Sequence, residues 1–180
     1  TVFDSKMRRR SAYPIALLVL LVAGLLSMPG GAVAARDADS PFAKPGMWIW
    51  HGSLSQRGVL ELIIRRARAS KIGTLYIKSA DGTGTWRQYT KPMVSKLQRA
   101  GLDVCGWHYV YGRSPVAEAK ASAYAKRQGA DCFVIDAETE YEGNYAGADR
   151  YVRKLRGLVG SKFPLGLSTF PYVHYHPSFP

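Results

Sequence analysis

Two periods alternate along this chain. Short apolar runs with β-branched and aromatic residues predict strands over 47–51, 74–78, 104–111, 132–137 and 165–170. Between them apolar residues recur at helical spacing. Val59, Leu62, Ile63 and Ala67 form one such stripe, and Val94 with Leu97 forms another. Helices are expected over 56–70, 91–100, 115–128 and 146–159. Ser55 stands where an N-cap is wanted, Pro92 suits a first turn, and Gly101, Gly129 and Gly160 punctuate the ends.

Strand, helix and strand repeat about every 28–30 residues, the rhythm of right-handed βαβ units around a parallel sheet. An open doubly wound sheet and a (β/α)8 TIM barrel both fit that rhythm. The segment after the first strand, Gly52-Ser53-Leu54-Ser55, is no phosphate-binding glycine loop, which weakens a nucleotide-binding reading. Polar and aromatic residues instead crowd the C-terminal ends of all the expected strands, where barrel enzymes build their sites. The expectation is a (β/α)8 TIM barrel truncated after about the fifth strand.

The first residues follow another logic. Met7 is followed by Arg8, Arg9 and Arg10, then by an apolar run from Ile15 to Leu26, then by Ala32-Val33-Ala34. This is the order of a secretory signal peptide, over 1–34, with 1–6 reading as upstream of the true start. The apolar run is shorter than the ~20 residues that span a bilayer. A linker over 35–45 and a domain over 46–180 complete the division. Export implies a secreted, cell-wall-associated protein with no stable membrane insertion after cleavage.

The net charge is +12, and about +9 remains once the signal is removed. Arg65-Arg66-Ala67-Arg68 reads as a solvated helix face. No nucleic-acid-binding motif accompanies the charge. Cys105 and Cys132 lie near the starts of consecutive strands; a disulfide and two buried thiols both fit.

Within 132–138, strand alternation puts Cys132, Val134, Asp136 and Glu138 on one face and Phe133, Ile135 and Ala137 on the other. Two carboxylates then share the barrel mouth. Close like charges raise the pKa of one member, which suits general acid chemistry on a glycosidic bond. Trp50, Tyr109, Tyr111 and Tyr172 offer ring faces for sugars. His51 and His108 stand at strand ends, and Lys78 and Asp81 close the second strand. Lys78 is expected to enter the mouth, either to pair with Asp136 as a structural ion pair or to steady the charge of the site. Glu140 and Glu142 read as solvated loop charges. His174 and His176 form a His-x-His without a recognisable third ligand, so no metal and no cofactor are assigned.

The segments Gly46-Met47-Trp48-Ile49-Trp50-His51, Gly129 to Glu138 and Phe170 to Pro177 resemble secreted bacterial barrel proteins related to glycoside hydrolases. The Asp136-x-Glu138 pair is similar to that of glycoside hydrolase family 25 lysozymes, barrels that cut the MurNAc–GlcNAc bond of peptidoglycan. The resemblance implies Glu138 as general acid, with Asp136 assisting the reacting centre or orienting an acetamido group. It also implies a cell-wall polysaccharide as partner. Where that family has an Asp in its first strand, this chain has Trp48. The alternative is therefore a non-catalytic glycan-binding barrel.

Overall fold

The structure is a computed structural model that describes residues 39–180; the expected signal over 1–34 lies outside them. The described chain forms a mixed α/β unit. Six strands make one sheet: β1 (Gly46–Ile49), β2 (Thr74–Asp81), β3 (Gly84–Thr85), β4 (Asp103–Val110), β5 (Cys132–Ala137) and β6 (Leu165–Ser168). Their order is β1-β2-β4-β5-β6, all parallel, with the short β3 folded back antiparallel on β2. Neighbours in sequence are thus neighbours in the sheet, without the order reversal of a doubly wound fold.

Four helices cover one face: α1 (Leu60–Ala69), α2 (Lys91–Arg99), α3 (Pro115–Ser122, continued as Tyr124–Arg127) and α4 (Tyr145–Val159). Their inward residues join the strand residues Ile49, Leu75, Ile77, Val104, Phe133 and Ala137 in a single core. Ile63 and Ala67 come from α1, Val94 and Leu97 from α2, and Tyr151, Leu155 and Val159 from α4. Each set repeats at three or four residues, one stripe per helix. The opposite sheet face carries the aromatic and acidic side chains and is largely uncovered.

Local chemistry explains where the elements depart from expectation. The first helix begins at Leu60, because Gln56, Arg57 and Gly58 have positive φ and form a preceding 3-10 turn. Ser55 does not cap it; its hydroxyl donates to the carbonyl of His51 instead. Thr90 and Asn144 cap α2 and α4. The third helix breaks after Ser122, whose hydroxyl donates to the carbonyl of Glu118 four residues earlier and so competes with the helical ladder.

The hairpin β2–β3 was not expected. Asp81-Gly82-Thr83-Gly84 supplies its turn, with Gly82 at φ 53°. Just before it β2 carries a bulge: Lys78 pairs with Trp107, and Ala80, not Ser79, pairs with His108. The extra residue brings Asp81 opposite Tyr109, onto the uncovered face. Between β4 and β5 the register pairs Cys105 with Cys132, and the two form a disulfide.

Candidate functional site

The uncovered face gathers side chains from every parallel strand. On β4 these are Cys105, Trp107 and Tyr109; on β5, Cys132, Val134 and Asp136, in register with them. Asp136 pairs in turn with Ser168 of β6. Glu138 follows β5 by one residue. Alternation therefore does what the sequence pattern implies and puts both carboxylates on this side.

Asp136 is half-buried. Burial and, next, the charge of Glu138 push its carboxyl up to about 6, against the Ser168 hydrogen bond and the positive charge of Lys78. Tyr109 closes the same corner. Its hydroxyl donates to Glu140 Oε2 at 2.9 Å. Burial first, then the bond to Glu140 and the charges of Glu138, Glu140 and Asp136, raise its pKa. Glu140 is thus bonded into the corner rather than simply solvated.

Beside the corner lies a tryptophan box. The Lys78 ammonium sits 4.4, 4.7 and 4.8 Å from the ring centres of Trp50, Trp86 and Trp107. It is 1% exposed and pairs with Asp81 at 2.6 Å. Three aromatic faces and one carboxylate replace the water a buried cation loses. Of the two roles expected for Lys78, the pairing with Asp136 is not formed; the bulge in β2 supplies Asp81 as its partner. Tyr111 donates to the other Asp81 oxygen at 3.0 Å, and its ring meets that of Tyr109 at 5.0 Å. Box and acidic corner are continuous.

Gln88 fastens the rim of the box. Its amide donates to the carbonyls of Trp50 and Lys78, and its Oε1 accepts from the Gly52 N–H. Trp107 Nε1 donates to the carbonyl of Ile49. His51 is exposed at the mouth, stacked on Trp50 and tilted against Trp86. Lower on the face, Trp48 stacks on Tyr76, and Tyr76 on Phe42. An open depression of about 440 Å³ runs from these rings to Ser168.

The face thus brings together Asp136, Glu138, Trp50, His51, Lys78, Asp81, Tyr109 and Tyr111. His108 is a correction to the expected set. It falls on the even positions of β4, faces the helices and has no exposed surface. Its Nδ1–H and the Tyr151 hydroxyl both meet the oxygen of Ser122, whose own proton goes to Glu118. Burial holds its pKa down to about 4, so the ring is neutral. Tyr172 stands on the loop after β6, where its ring meets His174 and Tyr175. Trp86 and Gln88 were missed, and the signal was present: an Asp-Gly hairpin turn at 81–82 returns the chain over β2. His176, half of the His-x-His, is bonded to Glu142 and Thr169. Glu142 in turn also accepts from Ser178, so it too is engaged.

No protein-family model and no curated protein matches the chain. Among solved structures, the catalytic domain of endolysin ply40 from bacteriophage P40 of Listeria monocytogenes is similar at 19% identity and a TM-score of 0.45. That match covers 58% of this chain and 55% of the endolysin domain. The Cpl-1 endolysin complexed with a peptidoglycan analogue is similar at 14% identity and a TM-score of 0.47, over 74% of this chain and 39% of that one. The chain thus spans about half or less of the structures it matches.

Proposed function

We propose that the protein is an exported glycoside hydrolase acting on bacterial cell-wall glycan, its sheet an arc of a (β/α) barrel wall. The observation that carries the reading is the Asp136–Glu138 pair on the strand-end rim, beside the tryptophan box and the open depression that reaches Ser168. A carboxyl pushed up to about 6 by burial and a neighbouring acid retains a proton under mildly acidic conditions.

In this reading Glu138, nearer the rim, protonates the leaving glycosidic oxygen. Asp136, deeper and bonded to Ser168, supports the charge that develops at the ring or orients an N-acyl group. Trp50 and its neighbours stack on sugar faces. Lys78, caged and paired, steadies the electrostatics without touching the reacting bond. The resemblance of the Asp136-x-Glu138 segment supports peptidoglycan as the glycan, and the 1–34 segment supports export.

The test is release of new reducing ends from purified peptidoglycan by the full chain, beside Glu138→Gln. General acid catalysis is worth about 10²–10⁴-fold, so the variant should lose at least a hundredfold. Release by neither protein, with binding to the glycan retained, would establish the non-catalytic binding reading. The observation favouring that alternative is Trp48, which β1 presents on the open face where an acid would serve catalysis.

A further inference from the structure

The loop after β6 carries a second group of aromatic rings, in contact with one another. Tyr172 and His174 stack with ring centres 5.6 Å apart at 27°. Tyr175 stands edge-on to both, at 5.5 and 4.4 Å. A loop that merely packed on itself would hide these rings, yet Tyr172 is 56% and Tyr175 57% exposed.

The surface is held in place. His176, the next residue, is buried, and its ring lies between Phe170 and Phe179. Its Nε2 accepts from the Phe170 N–H, so Nδ1 carries the proton and donates to Glu142 Oε1 at 2.6 Å. Glu142 Oε2 accepts from the Ser178 N–H and hydroxyl, and the Gly143 N–H donates to the Ser178 carbonyl. Both ends of the loop are therefore fixed. Its far end is clasped to the segment that follows Glu138 and Glu140. Its near end is continuous with Ser168, the residue paired with Asp136.

We infer that Tyr172, His174 and Tyr175 form an accessory sugar-binding platform, which takes a pyranose ring of the same glycan some way along the strand from the cleaved bond. The inference rests on the glycan reading and extends it to a site of its own. Aromatic faces fit the C–H face of a pyranose, and the tyrosine hydroxyls and imidazole edge meet its hydroxyl rim. The rings already support one another, so little freedom is lost when a sugar settles on them. Glu142 and His176 act as positioning residues.

The test uses the full chain carrying Glu138→Gln, to prevent turnover, and titrates it with N-acetylglucosamine oligomers of increasing length. Tyr172→Ala with Tyr175→Ala should weaken binding of the longer oligomers about tenfold and leave the shortest bound one unaffected. The paired phenylalanine variants should retain most of the affinity. Glu142→Gln, which leaves all three rings intact, should lose part of it. In a chain with Glu138 restored, the alanine pair should raise KM on long glycan more than it lowers kcat. Unchanged affinity in the alanine pair at every length, with Trp50→Ala still weakening binding, would overturn the platform and leave the glycan reading standing. No binding by any form, the parent included, would overturn both.

Discussion

Lys78 and Asp81 meet because β2 bulges between them. Three residues apart on a regular strand, they would face opposite sides of the sheet. One unpaired residue, Ser79, brings both to the open face, where the ammonium and carboxylate are 2.6 Å apart. The two halves of this pair should not be equivalent to mutation. Lys78→Met removes the buried charge and keeps its apolar stem, leaving a carboxylate that is partly solvated; the expected loss is within about 1.5 kcal/mol. Asp81→Ala leaves the ammonium buried with only rings around it, and should cost about 3 kcal/mol. Urea unfolding of both variants measures the difference, and equal losses would contradict this ordering.

The raised pKa of Asp136 makes a signed prediction. The folded protein holds this proton more tightly than the unfolded chain does. Asp136 therefore favours the folded state at low pH, and that advantage is lost as pH rises from about 4 to about 6. Asp136→Asn should remove this component, so the stability of the wild type relative to the variant falls across the window. Glu142, whose pKa is lowered first by Ser178 and also by His176, contributes with the opposite sign and cancels in the difference. Parallel melts at stepped pH decide it.

The Cys105–Cys132 bond closes a loop of 27 residues in sequence separation. A loop of that size removes unfolded-state entropy worth ~3–4 kcal/mol. Cys105→Ala with Cys132→Ala should lower the unfolding free energy by about that much. The reduced wild type should unfold at a similar denaturant concentration. A difference below about 1 kcal/mol would mean that the strands hold their pairing unaided.

At Gly106 the sheet and α3's continuation approach closely. A Cβ there would lie 2.4 Å from that of Ala125 and 2.8 Å from Ser79 Oγ. Ala125 offers no flexible end to move aside, so Gly106→Ala should cost about 1–3 kcal/mol. Thermal melting detects it, while glycan binding by the survivors should be unaltered, since Gly106 faces the helices.

The rhythm of strands and helices was legible because each stripe and each apolar run is long enough to show its period. The pairing of Asp136 with Glu138 was legible for the same reason: alternation within one strand needs no knowledge of its neighbours. His108 lies near a strand end, which suggests the rim, but the parity of β4 puts it with Val104 and Val110, not with Trp107. Asp81 was placed at the correct rim, but its ion pair depends on a bulge that leaves no mark in composition. Trp86 required recognising the hairpin first. The clasp of Glu142 with His176 joins residues 34 apart in sequence, and no local pattern announces such a meeting.

Alternation along β5 has a wider consequence. Ile135 and Asp136 are covalent neighbours, yet one belongs to the hidden side of the sheet and the other to the open side. Systematic replacement along residues 132–138 should therefore produce two interleaved records. Odd positions should report in assays of protein abundance and melting, and even positions from 134 onward in assays of glycan turnover. Selection for a new specificity could then work on every second residue of each strand while the other half continues to specify the fold.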